Sequence, residues 1–164
     1  AGAEIERIDW DGFDPPVMRR KGLLLAEAEG AALMADELAA DPEGFSPEFR
    51  GLLAYGASQP AAKLAQGQWA IAQTRIMAAS LFERHQALVS PTVAHVAFPH
   101  TQKAPANQAD LTALANFAGL PAVSAPMGAA EEGLPAAVQI ITPFGADRMA
   151  LSIAEALEAA GLTK

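Results

Sequence analysis

The chain has 164 residues and a formal net charge of −8 at pH 7, with 51% hydrophobic and 18% charged residues. This length fits one domain with a real core, and the composition excludes a disordered chain. The acidic balance disfavours nucleic acid and anionic membranes as partners, and the absence of cysteine excludes disulfides and a cysteine nucleophile. Because no membrane span or targeting segment is visible, we expect a soluble, cytoplasmic α/β protein.

The first predicted element is a short strand near residues 3–9. Ala1 and Gly2 resemble the end of a helix with glycine in the left-handed position, and the apolar Ile5 and Ile8 follow them. A chain that opens on a helix end indicates a segment upstream of it. A natural N-terminus with a processed methionine is the alternative.

A helical region is predicted over residues 15–86. Asp14 followed by two prolines is a typical helix start, because proline lacks the N–H that a first turn leaves unpaired. The first helix is predicted to run to about Ala40, and Ser46 and Ser58 are predicted to cap the next two helices. On the third helix, helical spacing predicts a broad buried face of Ala61, Leu64, Ala65, Trp69, Ala72, Ile76 and Ala79.

The pattern changes at residue 87. Three short strands are predicted, at residues 87–91, 121–126 and 136–141. A helix capped by Asp110 precedes the second of them, and a final amphipathic helix begins near Asp147. Residues 93–109 are predicted to form a long loop, and loops of this length are uncommon unless they serve a site.

The residues on their own contain no recognisable catalytic set. The histidines at positions 85, 95 and 100 lack metal-ligand spacing, so neither a metal site nor a cofactor is predicted. None of the six serines lies in a G-x-S-x-G or S-x-x-K motif. Ser90 and Ser124 are interpreted as buried hydroxyls that bond to the backbone.

Two runs in the second half fix glycine, proline, asparagine and glutamine together. Residues 112–128 read T-x-x-x-N-x-x-G-x-P-x-x-x-x-P-x-G, and residues 133–139 read G-x-P-x-x-x-Q. The strand before them ends in S-P-T at residues 90–92. Together these motifs resemble the C-terminal signature of the amidase signature family, which includes the amidase component of the glutamyl-tRNA amidotransferases.

Three departures from the family pattern are visible. His85-Gln86 stands where the family often has an acidic residue, and Ala137 stands where a second glycine is usual. The family uses a serine nucleophile, a second serine in a cis peptide and a lysine base to hydrolyse or transamidate carboxamides. These elements belong to its N-terminal half, and no G-S-S-G-G-like segment occurs in this sequence.

The resemblance implies an α/β/α fold with a mixed sheet and a large helical insertion. The expected strands lie near residues 3–9, 87–91, 121–126 and 136–141, and the expected insertion is 15–86. The chain is then the C-terminal portion of a single amidase domain, with a strand and loop at 1–14, the helical excursion at 15–86, and the remaining elements at 87–164.

The resemblance also implies a function. The chain is expected to supply core strands and part of the substrate pocket, to hold no catalytic residue, and to be inactive alone. Thr92, Asn116 and Gln139 are the substrate-pocket candidates, with structural support as the alternative role for the last two. Expected partners are the missing N-terminal half, a small amide substrate and, through open sheet edges, a second copy. A non-catalytic binding or scaffold module of the same fold remains the alternative, and an unrelated small α/β domain is a third.

Overall fold

The computed structural model describes residues 2–9, 13–130 and 133–161, and in these ranges it forms an α/β domain. The helices are α1 (Pro15–Leu33), α2 (Ala35–Ala40), α3 (Pro47–Ala57), α4 (Ala61–Phe82), α5 (Ala113–Ala118) and α6 (Asp147–Ala159). A 3₁₀ turn covers Pro42–Gly44. The strands are β1 (Leu88–Pro91), β2 (Ala122–Ala129) and β3 (Pro135–Ile141). The predicted α/β class and the helical character of residues 15–86 are confirmed.

Two of the predicted helix starts are confirmed. The Asp14 side chain accepts a hydrogen bond from the N–H of Val17 (2.9 Å), and two prolines fill the first turn of α1. The Ser46 hydroxyl accepts from the N–H of Phe49 (3.2 Å) at the start of α3. In both places a side-chain oxygen pairs one of the N–H groups that a first turn leaves free.

Two other helix boundaries differ from the prediction. The first helix ends at Leu33 rather than near Ala40, because Met34 leaves helical geometry (φ −102°, ψ 17°) before α2 begins. Ser58 does not cap α4, which starts after Pro60 without a side-chain cap. Its hydroxyl instead donates backwards to the Tyr55 carbonyl (2.8 Å), so Ser58 ends α3.

The predicted buried face of α4 is wrong. Trp69 is 76% exposed and Ile76 is 60% exposed. The residues that α4 buries are Gly67, Thr74, Ala78 and Leu81. Helix packing explains the difference, because a Cβ at Gly67 would lie 3.1 Å from the Leu25 side chain of α1, an approach that only a small residue permits. The helix therefore packs through its small residues, while Trp69 and Ile76 face outward.

The strands form one antiparallel sheet in the order β1-β3-β2. Helix α6 packs against β2 and β3, while α5 joins the helices on the other face. The core between the sheet and these helices contains Met18, Ala113, Leu114, Ala115 and Ile141. Helices thus cover both faces of the sheet, as an α/β/α arrangement requires.

The strand predicted near residues 3–9 and the mixed character of the sheet are corrected. Residues 2–9 contain no strand, and each pairing in the described part of the chain is antiparallel. A strand exists only where a neighbour completes its main-chain hydrogen bonds, and none of the three strands lies beside this segment.

Candidate functional site

A row of three polar side chains crosses the sheet. Ser90 on β1 and Ser124 on β2 both stand opposite Gln139 on the central strand. Residues directly opposite each other in an antiparallel pair place their side chains on the same face. The register therefore puts one amide between two hydroxyls on the face toward α5.

Gln139 is the buried centre of this row, with 4% of its surface exposed. Its Nε2 donates to the Leu111 carbonyl (3.2 Å) and to Ser90 Oγ (3.5 Å). A buried amide needs such partners, because an unpaired one costs free energy. Gln139 thus fastens the chain just before α5 to the sheet, which is a structural role.

Thr92 and Ser124 form a hydroxyl pair beside the row. The Thr92 N–H donates to the Ala137 carbonyl (3.1 Å), which places Thr92 just past the end of β1. Its Oγ1 lies 2.8 Å from Ser124 Oγ, although the two residues are 32 positions apart. Ser124 is exposed, so its interpretation as a buried, backbone-bonded hydroxyl is wrong. Each hydroxyl can donate once and accept twice, so the pair retains capacity to bind a ligand.

Asn116 lies apart from this cluster. It is exposed on α5, and its Nδ2 donates to the Thr112 carbonyl (3.1 Å) within the same helical turn. The helix ends at Gly119, which has the left-handed backbone (φ 69°) predicted for it. The structure thus brings Thr92 and Gln139 to one sheet face, while Asn116 bonds to its own helix.

The loop between β1 and α5 has a second anchor that the sequence did not reveal. Asp110 was predicted to cap α5, but that helix begins at Ala113 and has no side-chain cap. The Asp110 carboxylate instead accepts from Arg19 Nε on α1 (2.5 Å), with both side chains largely buried. Together with Gln139, which holds Leu111, this ion pair fixes two consecutive residues at the end of the loop.

His95 is partly buried in the same loop. Its Nδ1 donates to the Val96 carbonyl (3.1 Å), and its ring packs edge-on against Phe98 with centroids 5.8 Å apart. Its buried Nε2 has no partner among the described residues. Because a carbonyl only accepts, the Nδ1 atom carries a proton. In the described ranges no three His, Cys, Asp or Glu side chains come together as a metal site.

His85 has a more polar environment than His95. Its Nδ1 lies 3.1 Å from the Leu81 carbonyl and its Nε2 lies 2.9 Å from the Glu6 carboxylate, so both ring nitrogens face acceptors. The hydrogen bond to Glu6 raises the pKa of His85, and the same bond lowers the pKa of Glu6. This pair ties the first described segment to the chain just before β1.

A search of the described ranges finds no helix with the length and hydropathy of a membrane span.

The family model described as Amidase matches residues 20–151. Since this is well over half of the sequence, the chain belongs to the amidase family, and the resemblance seen in its motifs is confirmed. A glutamyl-tRNA(Gln) amidotransferase subunit of Leptospira interrogans serovar copenhageni is 35% identical over 125 residues, which are 70% of this chain and 26% of that protein.

Solved structures share the fold. One is a chain from a vestigial protein complex connected with the evolutionary origins of an s-triazine catabolic enzyme (TM-score 0.79, 24% identity, 95% of this chain and 36% of that one). A bacterial aryl acylamidase of the amidase signature family matches with a TM-score of 0.78 and 20% identity, over 97% of this chain and 37% of that one. The chain therefore spans only about a third of the solved chains that it matches.

Proposed function

We propose that this chain is the C-terminal portion of an amidase-signature enzyme that hydrolyses or transamidates carboxamide C–N bonds. In this proposal the serine nucleophile, the second serine and the lysine base come from polypeptide outside this sequence. The chain supplies core strands and part of the wall that faces a small amide substrate. The cytoplasmic location predicted from the sequence stays a prediction.

The observation that supports the proposal most directly is the fold of the signature block. Gly119 ends α5 in the left-handed conformation, β2 and β3 follow as a hairpin, and Gln139 holds the segment before α5. Glycine, proline and glutamine thus have structural uses that act together in one unit. The covered share of the matched chains, 36% and 37%, agrees with a chain that forms one part of a larger domain.

The proposed pocket contribution centres on Thr92, with Ser124 added by the structure. Their hydroxyls are 2.8 Å apart at the end of β1, with Ser124 open to solvent. A polar group of an amide substrate can accept from one hydroxyl and donate to the other. Gln139 acts behind them as a positioning residue, and Asn116 has a helix-stabilising role.

A chimera tests the proposal. The whole chain replaces the matched 125-residue stretch in the Leptospira amidotransferase subunit, and the unaltered subunit serves as the control. We expect a folded chimera with measurable amidotransferase activity, because the substituted part would have the same fold and the host would supply the catalytic residues.

Two measurements contradict the proposal. Hydrolysis of a simple carboxamide by the isolated chain would overturn the assignment of the catalytic groups to another polypeptide. A folded chimera without activity, beside an active unaltered subunit, would favour the binding or scaffold module instead.

A further inference from the structure

The outer edge of β1 exposes main-chain groups that the register identifies. Thr92 donates to the carbonyl of Ala137, so these two residues form a hydrogen-bonded pair. In an antiparallel sheet such pairs alternate along a strand, which makes Ser90 bond inward to β3 and directs Val89 and Pro91 outward. Because proline has no N–H, the outward donor of β1 is the N–H of Val89.

The side chain of Val89 is uncovered as well. Val89 stands opposite Ile140, on the sheet face away from Leu111, where α6 packs. Helix α6 covers β2 and β3 on this face and leaves Val89 54% exposed. An apolar side chain and an unpaired main-chain donor therefore lie together at one edge.

The edge formed by β2 is protected in two ways that β1 lacks. Pro126 removes a donor from β2, and the register shifts between Pro126 and Ala129. Prolines and bulges are devices that keep edge strands from pairing with further strands. On β1 the proline comes only at the last residue, Pro91.

We infer that an extended segment of the amidase domain outside this sequence continues the sheet at β1, hydrogen-bonding to the main chain of Val89 and covering its side chain. The inference rests on the proposed function. It is favoured over a second copy of this chain, because two copies each carry a net charge of −8 and repel each other.

Hydrogen exchange tests the inference on the native sequence. The Val89 amide is expected to exchange rapidly in the isolated chain and at least about tenfold more slowly in the chimera with the Leptospira subunit. The Ala122 amide on β2 is the reference at the other edge. An active chimera in which Val89 exchanges as fast as in the isolated chain would overturn the inference and leave the proposed function intact.

A pair of variants gives a second measurement. Val89→Pro removes the outward donor while the inward bonds of β1 remain, and Ala122→Pro makes the matched change on β2. We expect Val89→Pro to lower the yield and activity of the chimera at least about tenfold without altering the circular dichroism of the isolated chain, and Ala122→Pro to retain activity. Equal effects of both variants, or a Val89 amide already protected in the isolated chain, would overturn the inference. A native chimera that does not fold would overturn the proposed function and the inference with it.

Discussion

Arg19 and Asp110 form an ion pair across 91 positions of sequence, joining α1 to the loop that precedes α5. The side chains are only 14% and 11% exposed, so neither charge is well hydrated. The pair matters because Leu111, the residue after Asp110, is held by Gln139. The helical layer and the sheet thus converge on the same two residues of the loop.

Replacing Asp110 with Asn should lower the free energy of unfolding by about 2 kcal/mol, because Arg19 then retains a largely buried charge without its partner. Chemical denaturation of the chain measures the change. The control is Glu43→Gln, which breaks the exposed pair between Arg50 and Glu43 (2.6 Å). That change should cost less than about 1 kcal/mol. Equal losses in the two variants would show that burial of the Asp110 pair is unimportant.

Gln139→Leu should destabilise the fold by about 1–3 kcal/mol, because the Leu111 carbonyl loses its buried donor. Hydrogen exchange around residues 110–112 should accelerate at the same time. Asn116→Ala removes only an exposed bond within α5 and should change stability by less than about 0.5 kcal/mol. A larger effect at Asn116 than at Gln139 would contradict the roles assigned to the two signature residues.

The crossing of α1 and α3 depends on Gly56. A Cβ at this position would lie 2.4 Å from the main-chain carbon of Glu27, and main chain cannot move aside cheaply. Gly56→Ala should therefore cost about 1–3 kcal/mol, measured by thermal or chemical unfolding. Gly51 lies on the same helix with open space around it, so Gly51→Ala should stabilise by about 0.5–1 kcal/mol. Stabilisation by both changes would refute the close crossing.

The contact between His85 and Glu6 should depend on pH. The raised pKa of His85 makes its contribution complete below its ordinary value of 6.5, and the contribution disappears as pH rises through the folded-state pKa. The lowered pKa of Glu6 makes its contribution complete above 4.5 and lost at lower pH. Arg84 opposes the charge of His85 and favours that of Glu6.

The segment 2–9 should therefore be held most firmly between about pH 4.5 and 6.5. Amide exchange of this segment, corrected for intrinsic rates, measures the effect. Glu6→Gln should remove the pH dependence and return the pKa of His85 toward its ordinary value. An unchanged His85 titration in Glu6→Gln would show that the carboxylate does not hold the imidazolium.

Thr92 offers a direct test of the proposed pocket wall. In the active chimera, Thr92→Val should raise KM about tenfold, because a lost hydroxyl is worth about 1–1.5 kcal/mol in binding. Thr92→Ser keeps the hydroxyl and should stay near the parent value. Equal KM values in Thr92→Val and the parent would remove Thr92 from the pocket.

The parts predicted well from the sequence are those decided within a few residues. Asp14 and Ser46 cap helices, and Gly119 adopts the left-handed conformation, because each bonds or bends within its own turn. Asp110 and Ser124 were misinterpreted because their partners lie 91 and 32 positions away. A residue type compatible with a cap is equally compatible with an ion pair, and local sequence does not distinguish the two.

By itself the sequence determined the family, the helical region and the strands of the signature block, since motif spacing and hydrophobic period are local properties. Only the tertiary structure decided which face of α4 packs, which hydroxyls meet and which sheet edge stays open. These depend on where small residues let helices approach and on the strand register, and both are set by contacts between distant segments. Trp69 and Ile76 illustrate the difference, because their spacing predicts an apolar stripe and gives no indication of what covers it.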